Sequence, residues 1–216
     1  MIRTSRARLK AVGATTSFLL SVALLTACSS DDGGSGDPQE SSNADGVGAL
    51  GAEEGPCPSV LPSTESPSDG LGTQEPAAAA PSLPAPDSAT VCMYNFTEDA
   101  SGDDQSASYT FTLSGEPVPV KSRNLEALTE ELTKLAPVEP DAKCPAKLGR
   151  RWLLVTTADE EVTGVVVDDF GCVDVRLTDA PLETAPGEAT REGTVSGVLG
   201  GSYDLLNQIK LVWVTA

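Results

Sequence analysis

"RWLLVTTADEEVTGVVVDD" (residues 151–169) decides the architecture. Two runs rich in β-branched and aromatic residues, 151–158 and 161–169, flank the charged "ADEE". Such runs bounded by a short polar turn are the pattern of a β-hairpin, because branched side chains pack well on a pleated surface. "CVDVRLTD" (172–179) follows through "FG" and predicts a third strand.

"ATVCMYNF" (89–96) and "ASYTFTLSG" (107–115) carry the same bias. In the second, Tyr109, Phe111 and Leu113 alternate with Thr110, Thr112 and Ser114, a period of two that predicts a strand with one buried face. The acidic "TEDASGDDQS" between them reads as a hairpin loop. "RNLEALTEELTKLAP" changes period: Leu125, Leu128, Leu132 and Leu135 share one helical face, with Glu126, Glu130 and Glu131 off that stripe. Ser122 or Asn124 can cap the start and Pro137 can stop it. In "SYDLLNQIKLVWV" (202–214), Leu205, Leu206, Ile209, Val212 and Trp213 form a second stripe with Ser202 as cap. A strand through "IKLVWVT" competes with that helix, since Val and Trp favour sheets. The expected fold is α+β: a small antiparallel sheet with one or two helices on one face, stabilised by disulfides. Residues 89–216 suffice for a single domain of this kind.

The chain ahead of this body is of different character. Residues 57–88 hold Pro58, Pro62, Pro67, Pro76, Pro81, Pro84 and Pro86, which deny regular ladders. They read as an irregular segment lying over the body and pinned at Cys57; their Ser, Thr and Pro content also suits a glycosylated stalk. Residues 28–56 are small and acidic with no apolar period, the composition of a flexible tether. A chain of that length spans about 30 Å on average. Residues 1–27 begin with Arg3, Arg6, Arg8 and Lys10, continue apolar through "FLLSVALL", and contain no acid. That order is the one of a secretory signal, and the run is shorter than the roughly 20 residues of a comfortable span.

The signal closes on Leu25, Thr26, Ala27 and Cys28. "LTAC" resembles the lipobox of bacterial lipoproteins, and the resemblance implies cleavage before Cys28 and a diacylglyceryl group on its thiol. It covers the first 28 residues alone. The implied location is the outer face of the cell membrane, with the lipid on Cys28 as anchor. Exported proteins fold where thiols pair. Of five cysteines, lipidation of Cys28 leaves Cys57, Cys92, Cys144 and Cys172, which allow three connectivities. Cys57–Cys92 with Cys144–Cys172 is favoured, since each bridge closes a loop that lacks regular structure on one side. The body is also similar to a loose group of small lipoproteins of high-GC actinobacteria, on Cys57–Pro58 with Leu61–Pro62, Cys92–Met93–Tyr94, the Leu-rich helix, Cys144, and Gly171–Cys172. That group carries no established activity.

Charge and absences bound the function. The chain has 14 basic and 32 acidic residues, and four basic ones fall within 1–27, leaving 10 against 32, a net of −22. Between Cys28 and Val120 there is no Lys or Arg. Such a chain repels nucleic acid and anionic head groups, so no nucleic-acid partner is expected. The absence of histidine removes Ser-His-Asp and Cys-His nucleophile systems and His-based metal sites. There is no C-x-x-C, no S-x-x-K and no glycine-rich phosphate loop.

Carboxylates remain. Asp168 and Asp169 end one strand and Asp174 follows the next turn, the raw material of a carboxylate-based hydrolase, although adjacent acids at a strand end are ordinarily a solvated turn. Glu98, Asp99, Asp103 and Asp104 offer oxygens for a cation such as Ca²⁺ on a loop without the EF-hand register. Trp152 and Trp213 read as core or interface residues. The expectation is a non-catalytic binding module without a cofactor, taking an envelope protein or cell-wall component, with an envelope hydrolase and a cation-dependent adhesion or sensing module as alternatives.

Overall fold

The fold is described from a computed structural model over residues 55–63, 73–99, 108–139, 143 and 149–216. Residues 1–54, with the expected signal, Cys28 and most of the expected tether, lie outside the described residues, as do Cys144 and the loop acids Asp103 and Asp104.

Among the described residues the chain forms two helices and one eight-stranded sheet. The strands are β1 (Ser88–Asp99), β2 (Ser108–Leu113), β3 (Val118–Pro119), β4 (Ala136–Pro137), β5 (Arg151–Ala158), β6 (Glu161–Asp168), β7 (Asp174–Thr178) and β8 (Val198–Gly200); the helices are α1 (Ser122–Leu132) and α2 (Tyr203–Val214). Spatial order is β2-β1-β5-β6-β7-β8-β4, with β3 on β1, and all pairs are antiparallel. The expected α+β class therefore holds.

The opening stretch is the central hairpin. Ala158 pairs with Glu161, so Asp159 and Glu160 form a two-residue loop with φ of 49° and 69°. That is the left-handed pair a tight hairpin needs to match strand twist. β5 and β6 are buried along most of their length because each face of the sheet is covered. On one face Trp152, Leu154, Val165, Val167, Val175 and Leu177 pack against Leu128 and Leu132 of α1 and Leu205, Leu206, Ile209 and Val212 of α2. The Trp152 and Trp213 rings meet edge to face at 5.7 Å, docking α2 on β5. On the other face Cys92, Tyr94, Phe111, Leu153, Val155 and Val166 form a smaller core with Cys57 and Leu61.

The helix reading of the tail stands. Ser202 Oγ accepts from the Leu205 N–H at 2.9 Å, capping α2. The start of α1 differs from expectation: Lys121 occupies the cap without a side-chain bond, and neither Ser122 nor Asn124 serves. The helix also ends at Leu132, well before Pro137, which pairs in β4. Glu131 is not on the solvated side. It is buried between the helices, where Ser202 Oγ and Lys134 Nζ each donate to it at 2.7 Å. The Lys134 and Ser202 hydrogen bonds outweigh desolvation and hold its carboxyl below the ordinary value.

The described parts of the Pro-rich segment, 57–63 and 73–87, are stitched to the sheet at separate places. Cys57 is disulfide-bonded to Cys92. Leu61 N–H donates to Phe111 O at 2.9 Å and Leu113 N–H to Ser59 O at 2.8 Å, which protects the outer edge of β2. Pro76 bridges Val198 on β8, toward the opposite end of the sheet. Cys172 is disulfide-bonded as well, to a partner outside the described residues; the expected partner, Cys144, lies among those. No described helix is long and apolar enough to cross a membrane.

Candidate functional site

A hollow opens where two strands part. β1 pairs with β5 only from Ser88 to Tyr94, and beyond that β1 and β2 continue as a two-stranded ribbon to the Asp99–Ser108 pair. β5 starts at Arg151, opposite Tyr94 and Asp168, and Asp169 N–H donates to Arg150 O one step further on. The diverging chain ends enclose a hollow of about 550 Å³ lined by Asn95, Phe96, Gly149, Arg150, Asp169 and Phe170. The volume lies within the roughly 300–1,000 Å³ of small-ligand clefts.

Each wall is held from behind. Phe96 meets Tyr109 edge to face at 6.5 Å, a cross-strand aromatic contact that orients its ring. Phe170 lies directly over Gly149: a Cβ there would sit 1.5 Å from the Phe170 ring, so only glycine admits it. The turn carrying Phe170 is fixed by the disulfide at Cys172, by Tyr203 Oη donating to Gly171 O at 3.3 Å, and by Gly201 N–H donating to Val173 O at 2.9 Å. Val173 is fully buried with φ 57°, a left-handed conformation that β-branched residues seldom adopt. Strain of this kind persists only where surrounding contacts enforce it. Despite that support, Phe96 and Phe170 remain 40% and 46% exposed.

The charges at the hollow are unequal. Asp169 Oδ2 accepts from Trp152 Nε1 at 3.1 Å, and Oδ1 pairs with Lys210 of α2, so its charge is already compensated. Arg150 is exposed, and among the described residues its guanidinium has no ion-pair partner. Among the described residues the hollow thus combines two half-exposed rings with one available cation.

Behind it lies a buried ion cluster. Arg151 Nε meets Asp168 Oδ1 at 2.7 Å, and Arg176 NH1 approaches the same oxygen at 3.7 Å. Arg151 also stacks its guanidinium 4.9 Å from the Phe111 ring centre, and Arg176 donates to Thr73 O and Gln74 Oε1 of the Pro-rich segment. Tyr94 Oη donates to Pro58 O at 2.8 Å, and burial raises its pKa well above the ordinary phenol value. These groups hold the segment to the sheet; all but the rim lie out of reach of a ligand.

The two strand-end acids are not brought together. Asp168 is buried with the arginines, whereas Asp169 turns to Trp152 and Lys210, and Asp174 pairs with Gly200 at the start of β7. The hollow contains only Asp169 of the three. Asp99 ends β1, while Asp103 and Asp104 lie outside the described residues; among the described residues no cluster of His, Cys, Asp or Glu could hold a metal. Trp152 is core and Trp213 is half-buried beside it. Sequence reading missed Phe96, Gly149, Arg150 and Phe170 because they come from three separate segments. The one local signal was "FG" interrupting two strands, an aromatic residue where a turn ordinarily carries polar ones.

Comparison of the chain with protein families, with curated proteins and with solved structures found no match.

Proposed function

We propose that this chain is a lipid-anchored envelope lipoprotein whose folded part is a non-catalytic binding module on the outer face of the cell membrane, with the Phe96–Arg150–Phe170 hollow as its binding site. The observation that carries the location is the sequence Leu25–Thr26–Ala27–Cys28 after a basic end and an apolar run. The acidic tether of 28–56 supports it, because a repelling linker pushes the body away from anionic lipid. The binding role is supported by preformed rings left half-exposed beside an available guanidinium, and by the separation of the strand-end carboxylates. A single acyl chain gives marginal membrane binding while two or more hold stably, so a diacylglyceryl group can serve as sole anchor.

Metabolic fatty-acid labelling of the full chain and of Cys28→Ala in a bacterial host tests the anchor. Labelled, membrane-fractionated wild type and an unlabelled variant are expected. Label retained by Cys28→Ala overturns it. Release of soluble products from purified wall glycan by the purified protein would overturn the non-catalytic reading.

A further inference from the structure

We infer that the hollow takes an apolar group bearing a single carboxylate, such as the C-terminus of a peptide ending in an aliphatic or aromatic residue. This rests on the hollow being the binding site. Three observations select the class. The rings of Phe96 and Phe170 present apolar surface that the fold leaves uncovered, although Gly149, Tyr109 and the fixed turn at 170–173 hold both rings in place. An apolar body laid against them removes that surface from water without a cost for ordering the walls. Beside the rings stands one guanidinium, Arg150, with no ion-pair partner among the described residues. A guanidinium fork matches a planar carboxylate with two parallel N–H bonds.

Charge balance among the described residues favours a monoanion over heavier anions. A phosphate dianion carries more charge than one guanidinium balances, and Arg150 is the one cation among the described lining residues, in a chain of net −18. Asp169 does not cancel Arg150, since Trp152 Nε1 and Lys210 already occupy both of its oxygens. For the same reason a basic ligand finds no free carboxylate among the described lining residues. Asn95 is a neutral group whose side-chain amide donates to Ser114 Oγ at 3.0 Å, so it adds no charge to the hollow.

The test is two-dimensional NMR titration of the ¹⁵N-labelled full chain with three probes: acetyl-Ala-Ala-Leu with a free carboxylate, the same peptide as its C-terminal amide, and octanoate. The free acid is expected to shift the amides of Phe96, Arg150 and Phe170 and to bind about fivefold tighter than its amide, the scale of one exposed charge pair. Arg150→Gln, an exposed change that leaves the melting temperature in place, is expected to bring acid and amide to equal affinity. Phe170→Leu is expected to weaken both peptides alike. Tighter binding by the peptide acid assigns the carboxylate to a chain terminus, and tighter binding by octanoate assigns it to a fatty acid; either supports the class. Equal affinity of acid and amide at the wild-type hollow overturns the class and leaves the binding module standing. No shift at these residues with any probe overturns both the class and the hollow as the site.

Discussion

Arg176 and Arg151 are long, charged and almost fully buried, and both converge on Asp168 Oδ1. Burying charge costs several kcal/mol per ion unless partners compensate, so the cluster is sensitive to losing its anion. Asp168→Asn keeps the volume and removes the charge, leaving two guanidinium groups under the Pro-rich segment. It is expected to lower the unfolding free energy by about 3–5 kcal/mol in urea titration. Asp159→Asn, in the exposed hairpin turn at φ 49°, is expected to change it by less than about 0.5 kcal/mol, since Asn tolerates that conformation. The sequence offered no warning of the cluster. Arg151 opens a strand and Asp168 closes one, positions where charge ordinarily faces water; pairing register alone sets them opposite each other. Glu131 escaped notice for a like reason: the partner that accounts for its burial, Ser202, lies 71 residues away.

At the scale of elements, local pattern carried most of the information. The β5–β6 hairpin, the β1 and β2 strands and both helices follow from periodicity and branching, because each buries its own apolar face. β3, β4 and β8 are two or three residues long and have no period to read; neighbours create them. The hairpin turn retains a local conflict, because Glu160 holds φ 69° where a tight loop prefers glycine. Glu160→Gly turns the loop into Asp-Gly, the favoured pair for this turn. It is expected to stabilise the protein by about 0.5–1 kcal/mol, read as a higher urea midpoint at unchanged slope. A midpoint that falls would mean that Glu160 has a role beyond the turn.

At the scale of the molecule, the described parts of the Pro-rich segment belong to the fold. Composition says nothing about docking: Leu61, Pro76 and Ala77 gain their places from strands distant in sequence. The hollow was illegible for the same reason, being assembled from the ends of β1, β5 and β6. Cys57–Cys92 closes a sequence separation of 35, so its removal by Cys57→Ser with Cys92→Ala is expected to cost about 3–4 kcal/mol. Hydrogen exchange gives the spatial readout: the Leu61 and Leu113 amides, which bond between the segment and β2, are expected to lose protection before those of β5. Equal loss in both places would show that the bridge stabilises the sheet as a whole.

That bridge also fixes how the molecule takes a mechanical pull. Tension applied to the chain ahead of Cys57 crosses the sulfur atoms into Cys92, midway along a strand hydrogen-bonded on both sides. The bonds at Leu61 and Pro76 and the contacts of Arg176 with the segment then lie in parallel with the covalent route. Force reaches the sheet without passing through its edge. The weakest attachments are therefore the ones that carry no tension.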